Sequence, residues 1–189
     1  MLDLDLQQVP SLETERLLLR GITDADINEI FLLRSDKIAM KYIDRPIAQS
    51  EADAKDLLDK IKEAAKTNTG ITWGIQLKDK PELIGTIGFW RIDKENHRGE
   101  IGYMLRPDFF RMGLASEAIT AANDFAFNRL HFHSVEANVN TENLASMRLL
   151  EKMGFRKEAH FRENYYYAGK FLDSIIYSLL ASDSRPQNL

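Results

Sequence analysis

Cysteine is absent from the 189 residues, which excludes disulfides, thiolate metal ligands and a cysteine nucleophile together. That absence leaves the redox compartment undetermined. No run approaches the roughly 18 consecutive apolar residues of a membrane span, so no membrane association is expected. The opening MLDLDLQQVP carries acids but neither the basic nor the apolar stretch of a secretory leader. Positive charge is not in excess: the net charge is −4, and no lysine/arginine cluster outweighs its acidic neighbours. That argues against a nucleic-acid footprint, and no nucleic-acid partner is expected. Glycine and proline are few, and no repeat, low-complexity tract or long linker divides the chain. What remains, 44% hydrophobic and 29% charged, suits one soluble domain, with the cytoplasm as the default location.

Residues 13 to 23, ETERLLLRGIT, read as a first strand with Leu17 and Leu19 on one face. Thr23 or Asp24 can cap a helix in which Ile27, Ile30, Phe31 and Leu33 recur at helical spacing. Ser50 to Asp53 resembles a capping box and opens a polar helix running to about Thr67. ITWGIQL, ELIGTIGFWRI and GEIGYML then form a three-strand antiparallel meander broken by KDKP and DKENHR turns. A helix over residues 113 to 129 follows, then the strand HSVEANV and a short helix over 143 to 153, closed by Gly154. Two strands around the AGK turn end the pattern. The order β-α-α-β-β-β-α-β-α-β-β describes a mixed α/β (α+β) domain, without the repeating βαβ of a doubly wound nucleotide fold.

The junction within GYMLRPDFFRMGLASEAI, from Gly102 to Ile119, passes from strand to helix. A helix N-terminus exposes unpaired N–H groups and partial positive charge, and so can bind an anion. The candidate cradle is Arg111, Met112, Gly113, Leu114, Ala115 and Ser116. Gly113 allows close approach to the backbone, Ala115 keeps the next turn low, Arg111 adds charge and Ser116 a hydroxyl. The same residues would also serve as an ordinary loop-to-helix turn. G-x-x-x-x-G-K-[ST] and G-x-G-x-x-G are both absent, which argues against the commoner nucleotide sites.

The segment resembles the pyrophosphate loop of the GCN5-related N-acetyltransferase (GNAT) family, Q/R-x-x-G-x-G/A, with Phe110, Gly113 and Ala115 in its three defining places. Phe110 departs from Q/R, as an aromatic often does in the RimJ/RimL-like branch. NTENLASMRLLEKMGF resembles that branch's N-x-x-S-x-x-L-x-x-x-x-G-F pattern at Asn143, Ser146, Leu149, Gly154 and Phe155. GKFLDSIIYSL resembles its closing segment and ETERLLLR its opening strand. The resemblance covers roughly residues 12 to 182, leaving residues 1 to 11 as an extension and 183 to 189 as a tail.

The resemblance implies a twisted sheet whose fourth and fifth strands splay apart around acetyl-CoA. Its pantetheine would pair with the backbone of Met104 and Leu105, and its pyrophosphate would sit on residues 111 to 116. It also implies acetyl transfer to a primary amine, of a protein N-terminus or a small molecule. An amine with a pKa near 8 is about a tenth neutral at pH 7, whereas one near 10.4 is neutral only a few times in ten thousand. A general base therefore matters most for the more basic acceptors.

Glu100 is the candidate base. Alternation sets it opposite Ile101, Tyr103 and Leu105, although a solvated carboxylate at a strand start would look the same. His97, in the preceding turn, is the weaker alternative. The resemblance implies Ser146 as the candidate acid, at the place where RimL-like enzymes have a serine proposed to protonate the departing thiolate; Leu150 occupies the place of the tyrosine used by other branches, which leaves Ser146 or a water. Asn138 and Asn143 match places that contact the cofactor in relatives, and Asn143 is equally a good helix cap. His131 and His133 would share a strand face, but two imidazoles without a third ligand make a poor metal site, and no metal is expected. Trp73 and Trp90 are expected in the core, and the tyrosines at 165 to 167 in hairpin packing. An acidic acceptor groove would favour a polyamine or aminoglycoside; one open at both ends would favour a peptide. The alternative function is a non-catalytic acyl-CoA-binding module or sensor. Exposed sheet edges allow a homodimer.

Overall fold

Residues 1–183 are described by a computed structural model of the chain. The tail expected over 183 to 189 therefore lies, beyond Asp183, outside the described residues. β1 (Leu12–Glu13) and β2 (Leu17–Gly21) open the sheet, and Leu17 and Leu19 are both fully buried, as their alternation requires. A capping box between Thr23 and Asp26 starts a single 3-10 turn that leads into α1 (Ile27–Ser35). Ser50 and Asp53 form the equivalent box before α2 (Glu51–Lys66). β3 (Ile71–Leu77), β4 (Leu83–Asp93) and β5 (Arg98–Leu105) make the meander. They are followed by α3 (Leu114–Asn128), β6 (Ser134–Asn140), α4 (Leu144–Lys152), β7 (Arg156–Tyr167) and β8 (Lys170–Leu180).

The sheet order is β1-β2-β3-β4-β5-β6-β8-β7. Both faces are covered along its N-terminal half. On one face α3 and α4 pack on Trp73, Ile87, Phe89, Ile101 and Val135, with Leu2, Leu4 and Leu6 joining the same core. Trp73 is its centre, edge-on to Phe89 and Phe125, with its indole N–H donated to the Pro10 carbonyl at 2.7 Å. On the other face α1 and α2 enclose Ile22, Ile30, Leu58 and Leu83. Leu83 fills the space above Gly74, opposite Trp73 and Ile75.

Among the described strands only β5 and β6 run parallel, and they separate. Rungs join Arg98 to Ser134, Gly99 to Val135 and Glu100 to Glu136, and then stop. Beyond Glu100, β5 stays paired with β4 as far as Leu105, while β6 stays paired with β8 as far as Asn140. Each strand keeps its outer neighbour, so the gap between them is a V whose apex is Glu100. These are the two strands expected to splay; the short β1, not foreseen, shifts their numbers by one.

Two expectations fail locally. His131 and His133 precede β6 rather than sharing a strand face, and His131 has a positive φ of 56°. Trp90 is 43% exposed, flanked by Arg45 and Arg91 over its ring, because β4 extends past the cover of the helices. Among the described residues, no helix is long and apolar enough to cross a membrane, and no group of three His, Cys, Asp or Glu side chains is placed to hold a metal ion.

Candidate active site

The loop before α3 turns through two left-handed residues, Arg111 at φ 61° and Gly113 at φ 77°. Gly113 is the helix cap, a conformation that glycine adopts without the Cβ penalty. The first helical hydrogen bond is donated by the Glu117 N–H to the Gly113 carbonyl. Among the described residues, the N–H groups of 111 to 116 have no acceptor from the backbone, and no side chain caps the helix. The result is a continuous run of free donors at the positive end of a 15-residue helix. Leu114 and Ser116 are buried and Met112 is 52% exposed, so the floor of this cradle is backbone, with the Arg111 side chain exposed beside it.

The loop is held from below by groups that the sequence reading did not single out. Arg16 donates to the Met112 carbonyl at 2.9 Å and pairs with Glu117 at 2.7 Å. Glu117 also accepts from the Arg16 amide and the Thr14 hydroxyl. Burial would raise the Glu117 pKa, but these donors outweigh it and hold the carboxyl below the ordinary glutamate range. The tie joins the turn before β2 to α3 across 101 positions of chain, so no local pattern could signal it.

Strand register decides which peptide groups face the V. The Arg106 N–H is donated to the Ile84 carbonyl at 2.8 Å, which makes that pair a hydrogen-bonded rung. By alternation Met104 is bonded to Thr86 in β4, while the N–H and C=O of Tyr103 and Leu105 point to the open edge. Of the two strand residues expected to offer backbone, Leu105 offers it. Met104 is engaged, and its thioether instead accepts from the Arg34 guanidinium at 3.6 Å.

Glu100 lies at the apex of the V, on the face opposite Ile101 and Leu105. Its side chain is 13% exposed and its one ion pair is with Arg91 at 3.2 Å. Burial raises its pKa above the ordinary 4.5, Arg91 opposes the rise, and the facing Glu136 adds to it. Asn138 stands on the same face, exposed, two residues beyond Glu136 on β6. His97, with a positive φ of 53°, accepts the His133 and Ser134 amides through its carbonyl and anchors the start of β6.

On the other face, Asn143 caps α4 by accepting the Ser146 N–H at 3.1 Å. The Ser146 hydroxyl lies 2.8 Å from the Tyr103 hydroxyl. Burial pushes the Tyr103 pKa up to about 12, against the opposing pull of Ser146, so the phenol keeps its proton. Sequence reading missed Tyr103 as a polar group. Its one signal was a tyrosine in an apolar strand face, since a buried phenol needs a partner. The arrangement thus sets a carboxylate on one side of the apex and a linked pair of hydroxyls on the other.

Residues 16–156 match the family described as acetyltransferase (GNAT) domain. The uncharacterized N-acetyltransferase YoaA of Bacillus subtilis (strain 168) is 39% identical over 171 residues, covering 90% of this chain and 97% of the relative. The ribosomal protein uS5-alanine N-acetyltransferase of Escherichia coli (strain K12) is 28% identical over 130 residues, covering 68% and 67%. The crystal structure of a GNAT-family acetyltransferase from Bacillus anthracis superposes with a TM-score of 0.81 at 30% identity, over 91% of this chain and 99% of that one.

Proposed function

The chain belongs to the GNAT acetyltransferase family, and from that membership we propose that it transfers an acetyl group from acetyl-CoA to a primary amine held above Glu100. The observation that carries this reading is the junction of the parted β5 and β6 with the free amides at the start of α3. Acetyl-CoA fits both parts: a backbone cradle suits its pyrophosphate, and the open edge of Tyr103 and Leu105 suits an extended amide-bearing chain. When bound, it supplies an acyl group activated as a thioester. The transferase unit is residues 12 to 182, of RimJ/RimL-like type, a placement supported by the relative that acetylates a ribosomal-protein alanine.

In this reading Glu100 takes a proton from the acceptor's ammonium, directly or through water, and the neutral amine then attacks the thioester. Its raised pKa makes it a better acceptor than a solvated glutamate, and the Arg91 guanidinium opposes that rise. Tyr103, fully protonated, donates to the Ser146 oxygen, which leaves the serine proton free to meet the departing thiolate. Ser146 is then the acid and Tyr103 the residue that orients it. The non-catalytic alternative drew on the missing tyrosine at Leu150; a phenol arriving from β5 weakens that support.

Ser146→Ala is expected to lower kcat about 10- to 100-fold with acetyl-CoA affinity nearly unchanged. Tyr103→Phe is expected to have a smaller effect of the same kind. Single-turnover rates beside calorimetric affinities would separate the two quantities, and full turnover in Ser146→Ala would remove it as the acid.

Thermal unfolding with acetyl-CoA, CoA and ATP tests the reading as a whole. Ligand at about 100 times its dissociation constant stabilises the native state by roughly 2.7 kcal/mol, a shift of several degrees. The expected result is a shift with both CoA species and none with ATP. No shift with any of them would end the transferase reading.

A further inference from the structure

Arg34 occupies the last turn of α1, beneath the segment that returns to α2. It is half-buried, yet among the described residues its guanidinium has no carboxylate partner; the Met104 thioether is its one hydrogen-bond acceptor. Arg45, eleven residues on, is exposed, leans over the Trp90 ring and likewise lacks a carboxylate partner among the described residues. The two charges are close enough to repel. After burial, the charge of Arg45 is the next largest influence lowering the Arg34 pKa.

The acids of this face are already engaged. Glu100 is paired with Arg91, and Glu136 with Arg98 at 2.9 Å. Asp44 accepts from the Tyr165 hydroxyl at 2.6 Å and from the Asn140 amide. Asp44 keeps its charge, since both of its donors are neutral, and Arg98 also reaches Asp93 at 3.4 Å, but none of these acids is paired with Arg34 or Arg45. The position of the two arginines is specific: Met104, under Arg34, shares a strand face with Glu100, and Trp90, under Arg45, is the β4 partner of Glu100. Both guanidiniums thus border the side from which an amine reaches the proposed base. A half-buried, uncompensated cation beside a second one is costly, and an anion supplied by the ligand would relieve it.

We propose that Arg34 and Arg45 form an anion site in the acceptor groove, and that the acceptor is an amine bearing a carboxylate or phosphate several bonds from its nitrogen. Met104 and Glu100 are four residues apart on β5, roughly 13 Å between Cα atoms, which favours a separated anion over an α-carboxylate. This inference rests on the transferase reading for the direction of approach. It opposes a polyamine, whose far cation would meet two arginines that have no carboxylate partner among the described residues.

The test compares transfer to 6-aminohexanoate, 6-aminohexyl phosphate, hexylamine and 1,6-diaminohexane, amines matched in length and differing in their far end. The anionic amines are expected to exceed hexylamine in kcat/KM by roughly tenfold or more, with the diamine lowest. The ratio between the two anions distinguishes carboxylate from phosphate. Arg34→Met should bring the anionic and neutral amines to near parity while the acetyl-CoA affinity holds. Arg34→Lys should retain part of the preference, having charge but no fork. Arg45→Gln, at an exposed position, gives a second reading if Arg34→Met does not fold.

Preference for the diamine, or an unchanged preference in both variants, would overturn the inference. So would loss of acetyl-CoA affinity in Arg34→Met with the amine preference intact, since the guanidinium would then serve the cofactor. If acetyl-CoA binds but no amine is acetylated, calorimetric titration of 6-aminohexanoate into the protein–CoA complex separates the two claims. Arg34-dependent binding there keeps the anion site and ends the transferase reading. Absence of binding ends the anion site.

Discussion

Gly113→Val is expected to weaken acetyl-CoA binding by about 100-fold or more while the domain stays folded. The reason is conformational before it is steric. Gly113 holds φ 77°, and a β-branched residue there pays roughly 1–2 kcal/mol or shifts the loop. The new side chain would also meet the Arg16 guanidinium, which lies 3.4 Å from where its Cβ would stand. Either response turns the free amides of 111 to 116 away from a common centre. Losing two hydrogen bonds to a charged group, each worth about 1.5–3 kcal/mol, gives the stated factor. The fold should survive because Gly113 is exposed and outside both cores, and the cost is small against the roughly 5–15 kcal/mol that holds a domain together. Calorimetric affinity beside a circular-dichroism melt reads both quantities. Unchanged affinity in a folded variant would sink the cradle.

Glu100→Gln should reduce kcat/KM at neutral pH by about 10²- to 10⁴-fold, with acetyl-CoA affinity held. The companion expectation is that stability does not fall. A carboxyl whose pKa is raised in the folded state contributes stability that is full below its unfolded pKa. That contribution is lost as pH rises through the folded pKa. Above its raised folded pKa the ionised Glu100 is therefore a cost that glutamine removes, and the released Arg91, 66% exposed, is solvated without its partner. A variant that is inactive but no less stable would separate a chemical role from a structural one. The pH profile, corrected for the free-amine fraction of the acceptor, should lose its rising limb in the variant. A limb that stays where it was would eliminate Glu100 as the base.

How much of this was legible beforehand differs by residue. The capping box at Ser50, the Asn143 cap and the left-handed Gly113 were readable because a cap is a contract between residues three or four apart. The face of Glu100 was readable from period two. Its place at the apex was not, because that depends on where β6 stops pairing, and β6 follows β8 rather than β5. Trp90 was misjudged for the same kind of reason: hydrophobicity says what a side chain prefers, while the reach of the helices decides what is covered.

The sequence by itself determined the order of elements, the helix ends, the alternation that builds the core and the motifs that place the chain in its family. Tertiary structure alone decided the rest. It closed Arg16 on Glu117 beneath the cradle, brought Tyr103 to Ser146 across 43 positions of chain, and left Arg34 beside Arg45 without a carboxylate among the described residues. The physical reason is range. Backbone preferences and caps act within a turn or a strand, whereas a salt bridge, a phenol's partner or an unpaired cation depends on which distant segments the packed sheet brings together.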